Sequence, residues 1–220
     1  MFPLNDEVRR KSTPLVTYIL VASNVGAFVY SLVKGLEHTL LSFGFRPVYL
    51  WDFYKLETLF TSLFLHGDVV HIAGNLVYLF VFGRSVEDRV GHLAYFTLYL
   101  LSGLAGTLLH CTSIFLMPLD ILMREMERPL VGASGAISGI IGAYVVFFPE
   151  SRVLTLIIYI YMIFIKIPVR YYVLAWFLYQ LLIGTLSLGY PLTVAAWAHI
   201  GGFAAGSLSA LIVKHFIKGL

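Results

Sequence analysis

Three groups of polar residues stand inside otherwise apolar sequence, and together they hold side chains suited to acyl transfer. The first reads Phe-Leu-His-Gly-Asp-Val-Val-His-Ile-Ala-Gly-Asn and contains His66, Asp68, His71 and Asn75. The second, Val131 to Gly139, reads Val-Gly-Ala-Ser-Gly-Ala-Ile-Ser-Gly and contains Ser134 and Ser138. The third, Ala-Trp-Ala-His-Ile-Gly-Gly-Phe-Ala-Ala-Gly, contains His199. A serine hydroxyl is a useful nucleophile only when a base takes its proton, and neutral imidazole can do so near pH 7. A Gly-x-Ser-Gly turn can expose that hydroxyl and free backbone N–H groups to stabilise an oxyanion.

Each group also has a plainer reading. His71 and Asn75 are four residues apart, so a helix would set them on one face, about 6 Å apart along its axis. A zinc site would call for His-Glu-x-x-His, whereas His66 and His71 are five apart with no intervening Glu. Gly135, Gly139 and Ala143 suit a helix-packing seam, as do Gly202, Gly206 and Ala210 below His199. Either seam alone would be packing. Two seams, one headed by a serine and the other by a histidine, favour a paired site.

The elements that must carry these residues lie in a membrane. The chain has 220 residues, 59% hydrophobic and only 12% charged, with mean hydropathy +0.86. Soluble domains run at about 45–50% and roughly 25%. Disorder, collagen, coiled coil and a disulfide scaffold are excluded. A net charge of +3, scattered along the chain, gives no nucleic-acid surface. Cys111 is the single cysteine, so it forms no intrachain disulfide and reads as apolar filler.

A crossing helix needs roughly 20 apolar residues. Six runs qualify: 15–33, 58–83, 93–119, 130–148, 171–188 and 192–213. The first follows Arg9-Arg10-Lys11 but is too long for a signal h-region and lacks a cleavage pattern, so it reads as a retained span. The 13-residue run 153–165 is too short to cross and reads as interfacial or re-entrant. The loop 34–57, with Tyr49, Trp51 and Tyr54, is expected at the interface. The expected organisation is a cytoplasmic segment 1–14, a six-span domain 15–213 and a cytoplasmic tail 214–220.

With the N-terminus inside, Arg9, Arg10, Lys11, Arg84, Arg89, Arg152, Lys166, Arg170, Lys214 and Lys218 fall inside. Lys34, Arg46, Lys55, Arg124 and Arg128 fall outside. Ten basic residues against five favour cytoplasmic termini. Ser134 and His199 both open their spans, so they meet only if those spans run parallel. That requires one crossing between them, as obtained when 153–165 does not cross.

On these residues the chain resembles the rhomboid family of intramembrane serine proteases. The resemblance rests on His66-x4-His71-x3-Asn75, Gly132-Ala133-Ser134-Gly135, and Ala198-His199-x-x-Gly202-x-x-x-Gly206, in that order on a six-span frame. It implies an all-α polytopic bundle with an interfacial first loop. It also implies a Ser134–His199 dyad, an oxyanion hole at His71, Asn75 and the Ser134 N–H with Gly132 beside it, and a supporting role for His66. Gly135, Gly202 and Gly206 are supporting by the same likeness, and no cofactor or metal is implied. Glu87-Asp88-Arg89 resembles an acidic-x-Arg loop that pins the connection between spans two and three. The implied partners are single-pass transmembrane substrates and the bilayer. Cleavage is expected near the outer end of a locally unwound helix, at a water-filled cavity, with 171–188 (Trp176, Phe177, Tyr179) as the lateral gate.

Two positions depart from the family pattern. Where an aromatic residue often packs on the catalytic histidine, four residues after the nucleophile, this chain has Ser138, within expected reach of the imidazole. A Trp-Arg pair of the first loop corresponds to Glu57-Thr58. The compact frame suggests a minimal prokaryotic, plasma-membrane member. A pseudoprotease would lack the serine or the histidine, and a transporter would show inverted repeats or paired broken helices. Neither pattern is present.

Overall fold

The computed structural model describes residues 2–158, 161–190 and 195–217. In chain order these form β1 (Phe2–Asp6), α1 (Leu15–Lys34), α2 (Leu36–Phe43), α3 (Tyr49–Asp52), α4 (Thr58–Thr61) and α5 (Val69–Val90). There follow α6 (His92–Ser113), α7 (Leu119–Glu127), α8 (Ser134–Phe147), β2 (Arg152–Ile158), β3 (Met162–Pro168), α9 (Val169–Ser187) and α10 (Ala196–Ile217). The fold is a polytopic helical bundle. Among the described residues, α1, α5, α6 with its 3-10 extension to Leu116, α9 and α10 are long and apolar enough to cross a bilayer.

The fourth apolar run, 130–148, behaves differently. With 14 residues, α8 extends only about 21 Å at 1.5 Å per residue, short of the roughly 30 Å hydrocarbon core. It compensates by being central: every residue from Gly135 to Tyr144 is buried. Glycine makes that possible. A Cβ on Gly202 would collide with the Gly135 carbonyl, and one on Gly206 with the Gly139 carbonyl, so α8 and α10 touch backbone to backbone. On the other flank a Cβ on Gly139 would overlap the Ser102 side chain of α6. Its first residue, Ser134, is half-buried.

The run 58–83 is not one helix. A short turn, α4, and a 3-10 turn at Ser62–Phe64 precede an extended stretch, and α5 starts only at Val69. Asp68 caps it: the carboxylate accepts the His71 N–H at 2.7 Å, satisfying one of the orphan amides of a helix start. The apolar residues on either side of His66-Gly67-Asp68 hid this break, although Gly67-Asp68 is itself a helix-start signal. The helix ends at Gly91, whose φ of +83° suits glycine.

The run 153–165 lies in a β-hairpin, with residues 159–160 outside the described ones. β2 pairs antiparallel with β3 from Arg152↔Pro168 to Ile158↔Met162, and β1 adds to the other side of β2 through a bulge between Pro3 and Asn5. The three-stranded sheet was not expected; only the β-branched residues of the run hinted at it. Segment 1–14 is likewise structured where described. Asp6, 5% exposed, accepts from Arg10 Nη1 at 3.0 Å, from Tyr144 Oη at 3.0 Å and from Ser85 Oγ. The strand is thereby fastened to the ends of α5 and α8 remote from Ser134. At the same end, Lys214 of α10 donates to the Val146 carbonyl at 3.0 Å. Residues 192–194 and 218–220 of the expected sixth span and tail lie outside the described residues.

Glu87 and Asp88 serve α1. Glu87, 1% exposed, accepts from the amides of Val16 and Thr17 at 2.7 Å and from Thr17 Oγ1 at 2.6 Å. His92 Nδ1, across the loop between α5 and α6, lies 2.6 Å from the same carboxylate. Asp88 accepts from the amides of Lys11 and Ser12 and from Ser12 Oγ. The acidic pair thus bridges the start of the first membrane helix to the end of α5, beyond the connection expected from sequence.

Candidate active site

Ser134 is the first residue of α8, and His199 lies in the first turn of α10. Their side chains meet: His199 Nε2 stands 2.8 Å from Ser134 Oγ. Two helix starts side by side mean parallel helices, with α9 the single crossing between them. The amides of Ser134 and Gly135 belong to a first helical turn, whose N–H groups have no intrahelical acceptor. They are available to an anion beside the hydroxyl.

The turn before Ser134 is strapped down. Phe45 and Leu130 exchange backbone hydrogen bonds of 3.2 and 2.6 Å, and Gly132 N–H donates to the Ser62 carbonyl at 2.9 Å. Gly132 has φ +122°, and a Cβ there would come within 2.8 Å of His71 Nε2. The glycine admits the imidazole of His71 against the turn. Its own N–H is engaged by Ser62 and donates nothing to the cavity.

α5 supplies the other donors. The His71 Nδ1 accepts the Gly67 N–H at 3.5 Å, which leaves the ring hydrogen on Nε2, facing Gly132. Asn75 Nδ2 lies 2.8 Å from His66 Nε2, while His66 Nδ1 lies 3.3 Å from the Phe64 carbonyl. A carbonyl only accepts, so the His66 hydrogen is on Nδ1 and its Nε2 takes one Asn75 hydrogen. The second Asn75 hydrogen remains for the cavity. His66 itself is fully buried.

A cavity of about 700 Å³ gathers His71, Asn75, Gly132, Ser134, Trp176 and His199 on its walls and extends to Thr107, His110 and the Glu125–Arg128 ion pair. Such a volume falls within the range of small-ligand and peptide-side-chain pockets. Among the described residues no three His, Cys, Asp or Glu side chains converge as a metal site requires.

Ser138 is a correction. Its hydroxyl donates to the Ser134 carbonyl at 2.7 Å, back along its own helix, and not to the imidazole. The group on the far side of His199 is Gln180 of α9, with Oε1 2.8 Å from Nδ1. The Trp176 ring lies 6.3 Å from the His199 ring, tilted by 32°. Sequence reading passed over Gln180, although an amide in the middle of an apolar span carries a desolvation cost that calls for a partner. Gly135, Gly202 and Gly206 form the close contact of α8 and α10 beneath the site.

A family model, the Rhomboid domain, matches residues 52–216. The chain is 30% identical over 159 residues to RHOMBOID-like protein 5 of Arabidopsis thaliana, covering 67% of this chain and 41% of that protein. It is 30% identical over 175 residues to Rhomboid-like protease 3 of Toxoplasma gondii, covering 77% and 56%. It is 32% identical over 91 residues to Inactive rhomboid protein 1 of Drosophila melanogaster, covering 41% and 6%. The match thus spans little more than half, or less, of these relatives' own lengths. With the domain match extending from the first loop to the end of α10, this integral membrane protein belongs to the rhomboid family, whose members are generally intramembrane serine proteases and include inactive forms.

Proposed function

We propose that this chain is a serine endopeptidase that cuts single-pass membrane proteins within or beside their transmembrane helix. The observation that carries the proposal is the 2.8 Å contact between Ser134 Oγ and His199 Nε2 at the wall of a cavity with unspent N–H donors. Nε2 takes the Ser134 proton as Oγ attacks the scissile carbonyl carbon. The negative charge that develops on the carbonyl oxygen is met by the Ser134 N–H, His71 Nε2–H and the free Asn75 Nδ2–H. Collapse breaks the C–N bond, and the imidazolium returns its proton to the leaving amine. Water, deprotonated by the same imidazole, then hydrolyses the acyl-enzyme and regenerates Ser134.

A helix hides its carbonyls in hydrogen bonds, so the substrate must unwind at the cut. A partly polar cavity below the end of the bundle suits such an unwound segment, with α9 as the side through which it enters. Basic residues dominate the end that carries β1, the hairpin and the end of α10, which supports a cytoplasmic setting there and a site open to the opposite face.

Wild type, Ser134→Ala and His199→Ala, reconstituted in liposomes with a tagged transmembrane substrate, test the reading. Cleavage is expected from wild type alone. Cleavage persisting in purified Ser134→Ala removes the nucleophile assignment. A folded wild type that binds the substrate, does not cut it, and does not label with a fluorophosphonate is a client-binding member without protease activity.

A further inference from the structure

We infer that Gln180 is a positioning residue for the dyad: its side-chain carbonyl fixes the tautomer and ring plane of His199, so the base is competent only while α9 is docked. The inference rests on the protease reading above and concerns how that same site is held ready.

The chemistry of the contact is one-sided. The acceptor facing His199 Nδ1 is the amide oxygen of Gln180, 2.8 Å away. A carbonyl oxygen cannot donate, so Nδ1 carries the hydrogen and the lone pair is on Nε2. That lone pair faces Ser134 Oγ at 2.8 Å. The opposite tautomer would put two donors against each other at Ser134 and two acceptors against each other at Gln180. One neutral amide therefore does for this imidazole what a carboxylate does in a Ser-His-Asp arrangement, without burying a charge in the bundle. The Ser138 hydroxyl does not duplicate it: it turns back to the Ser134 carbonyl and makes no hydrogen bond to the imidazole.

Gln180 belongs to a face that joins α9 to the rest of the protein. Tyr172, Trp176, Gln180 and Gly184 recur every four residues and so line one side of the helix. Tyr172 Oη donates to Tyr78 Oη of α5 at 2.8 Å, and Trp197 Nε1 of α10 donates to the Gly184 carbonyl at 2.9 Å. The opposite side, with Leu174, Leu178 and Leu182, is exposed on the outside of the bundle. Gln180 itself is 4% exposed. Swinging α9 outward would withdraw the Gln180 carbonyl and leave Nδ1–H without the acceptor that fixes its tautomer. An outward α9 is thus chemically idle, and redocking restores the base.

The test uses histidine-15N-labelled full-length protein in micelles, with the His199 signals among its seven histidines assigned by His199→Ala. The variants are Gln180→Met, which keeps the length and loses the acceptor, and Gln180→Glu, which keeps an acceptor. Wild type is expected in the Nδ1–H form with a hydrogen-bonded, downfield proton. Gln180→Met is expected to lose that proton signal. It should also lower kcat about tenfold to a hundredfold with KM little changed, a part of the 10²–10⁴ that a placed base contributes. Gln180→Glu should restore kcat to within a few-fold of wild type. An unchanged His199 signal and kcat in Gln180→Met overturns the inference. If Gln180→Met does not fold, Gln180→Glu decides, since a carboxylate acceptor must shift the Nδ1 proton and an unshifted signal overturns it. A wild type that neither cuts nor labels while the His199 signal still follows Gln180 overturns the protease reading alone.

Discussion

The amide nitrogen of Asn75 stands 2.8 Å from Nε2 of His66, a histidine with no exposed surface. His66 in turn is oriented by the Phe64 carbonyl. The pair explains why two polar residues of one motif have different work. His66 holds Asn75, and Asn75 offers its remaining hydrogen to the cavity. Asn75→Ala is expected to lower the cleavage rate about 10²–10³-fold, as for other oxyanion donors. His66→Phe keeps Asn75 but frees its amide, so a smaller loss is expected. Steady-state kinetics on both variants would check the order, and a larger effect from His66→Phe would contradict it.

Gly132 is the tightest point of the site. Its φ of +122° is one that residues with a Cβ rarely adopt, and the added carbon would meet the His71 ring at 2.8–2.9 Å. Gly132→Ala must either turn the backbone, breaking the Gly132–Ser62 hydrogen bond, or push His71 aside. Both outcomes move an oxyanion donor. Fluorophosphonate labelling of Ser134 is expected to slow by at least tenfold, within the range for a lost donor. A wild-type labelling rate in Gly132→Ala would show that His71 is not needed where it stands.

Much of this site was legible because the membrane makes polar residues expensive, so Ser134, His199, His71 and Asn75 stood out against apolar sequence. The parallel pairing of α8 and α10 followed from counting crossings. What could not be read was anything set by geometry across elements. The 58–83 run reads as one span because apolar residues flank His66-Gly67-Asp68 on both sides, and the cap at His71 N–H fixes where α5 starts. The hairpin of β2 and β3 gains its third strand from residues 2–6, some 150 positions away in sequence, and no local pattern announces such a partner. Position in the sequence puts Ser138 within reach of the imidazole and says nothing of where its hydroxyl turns. In a helix its hydroxyl finds the carbonyl four residues back, a contact that serine readily makes.

The contact of α10 with α8 leads to a prediction that links packing to chemistry. Gly206 and Gly202 each admit a carbonyl of α8 where a Cβ would sit. Gly206→Val would force the helices apart, at the roughly 1–3 kcal/mol typical of overpacking or more, since backbone cannot step aside. Ser134 and His199 are carried by those same two helices, so activity is expected to fall further than stability. Thermal unfolding in detergent and cleavage kinetics on the folded fraction would measure the two effects. A variant that loses stability but cuts normally per folded molecule would show that the dyad is not spaced by this seam.

Glu87 supplies the opposite case, a buried group that should matter for stability and not for chemistry. Its carboxylate satisfies two first-turn amides and one hydroxyl of α1, and His92 approaches it from α6. Glu87→Ala leaves two amides and one hydroxyl of α1 without their acceptor, at a usual cost of about 1–3 kcal/mol for each buried donor left unpaired. Glu87→Gln keeps one acceptor oxygen and is expected to fall between the alanine variant and wild type. Glu87 lies near the end of α5, whereas His71 and Asn75 lie near its start, about 18–24 Å away at 1.5 Å per residue. The molecules that remain folded are therefore expected to label at Ser134 at the wild-type rate. Thermal midpoints and labelling rates corrected for folded fraction would check both halves. If labelling fell in step with stability, α1 would have to be counted among the elements that position the dyad.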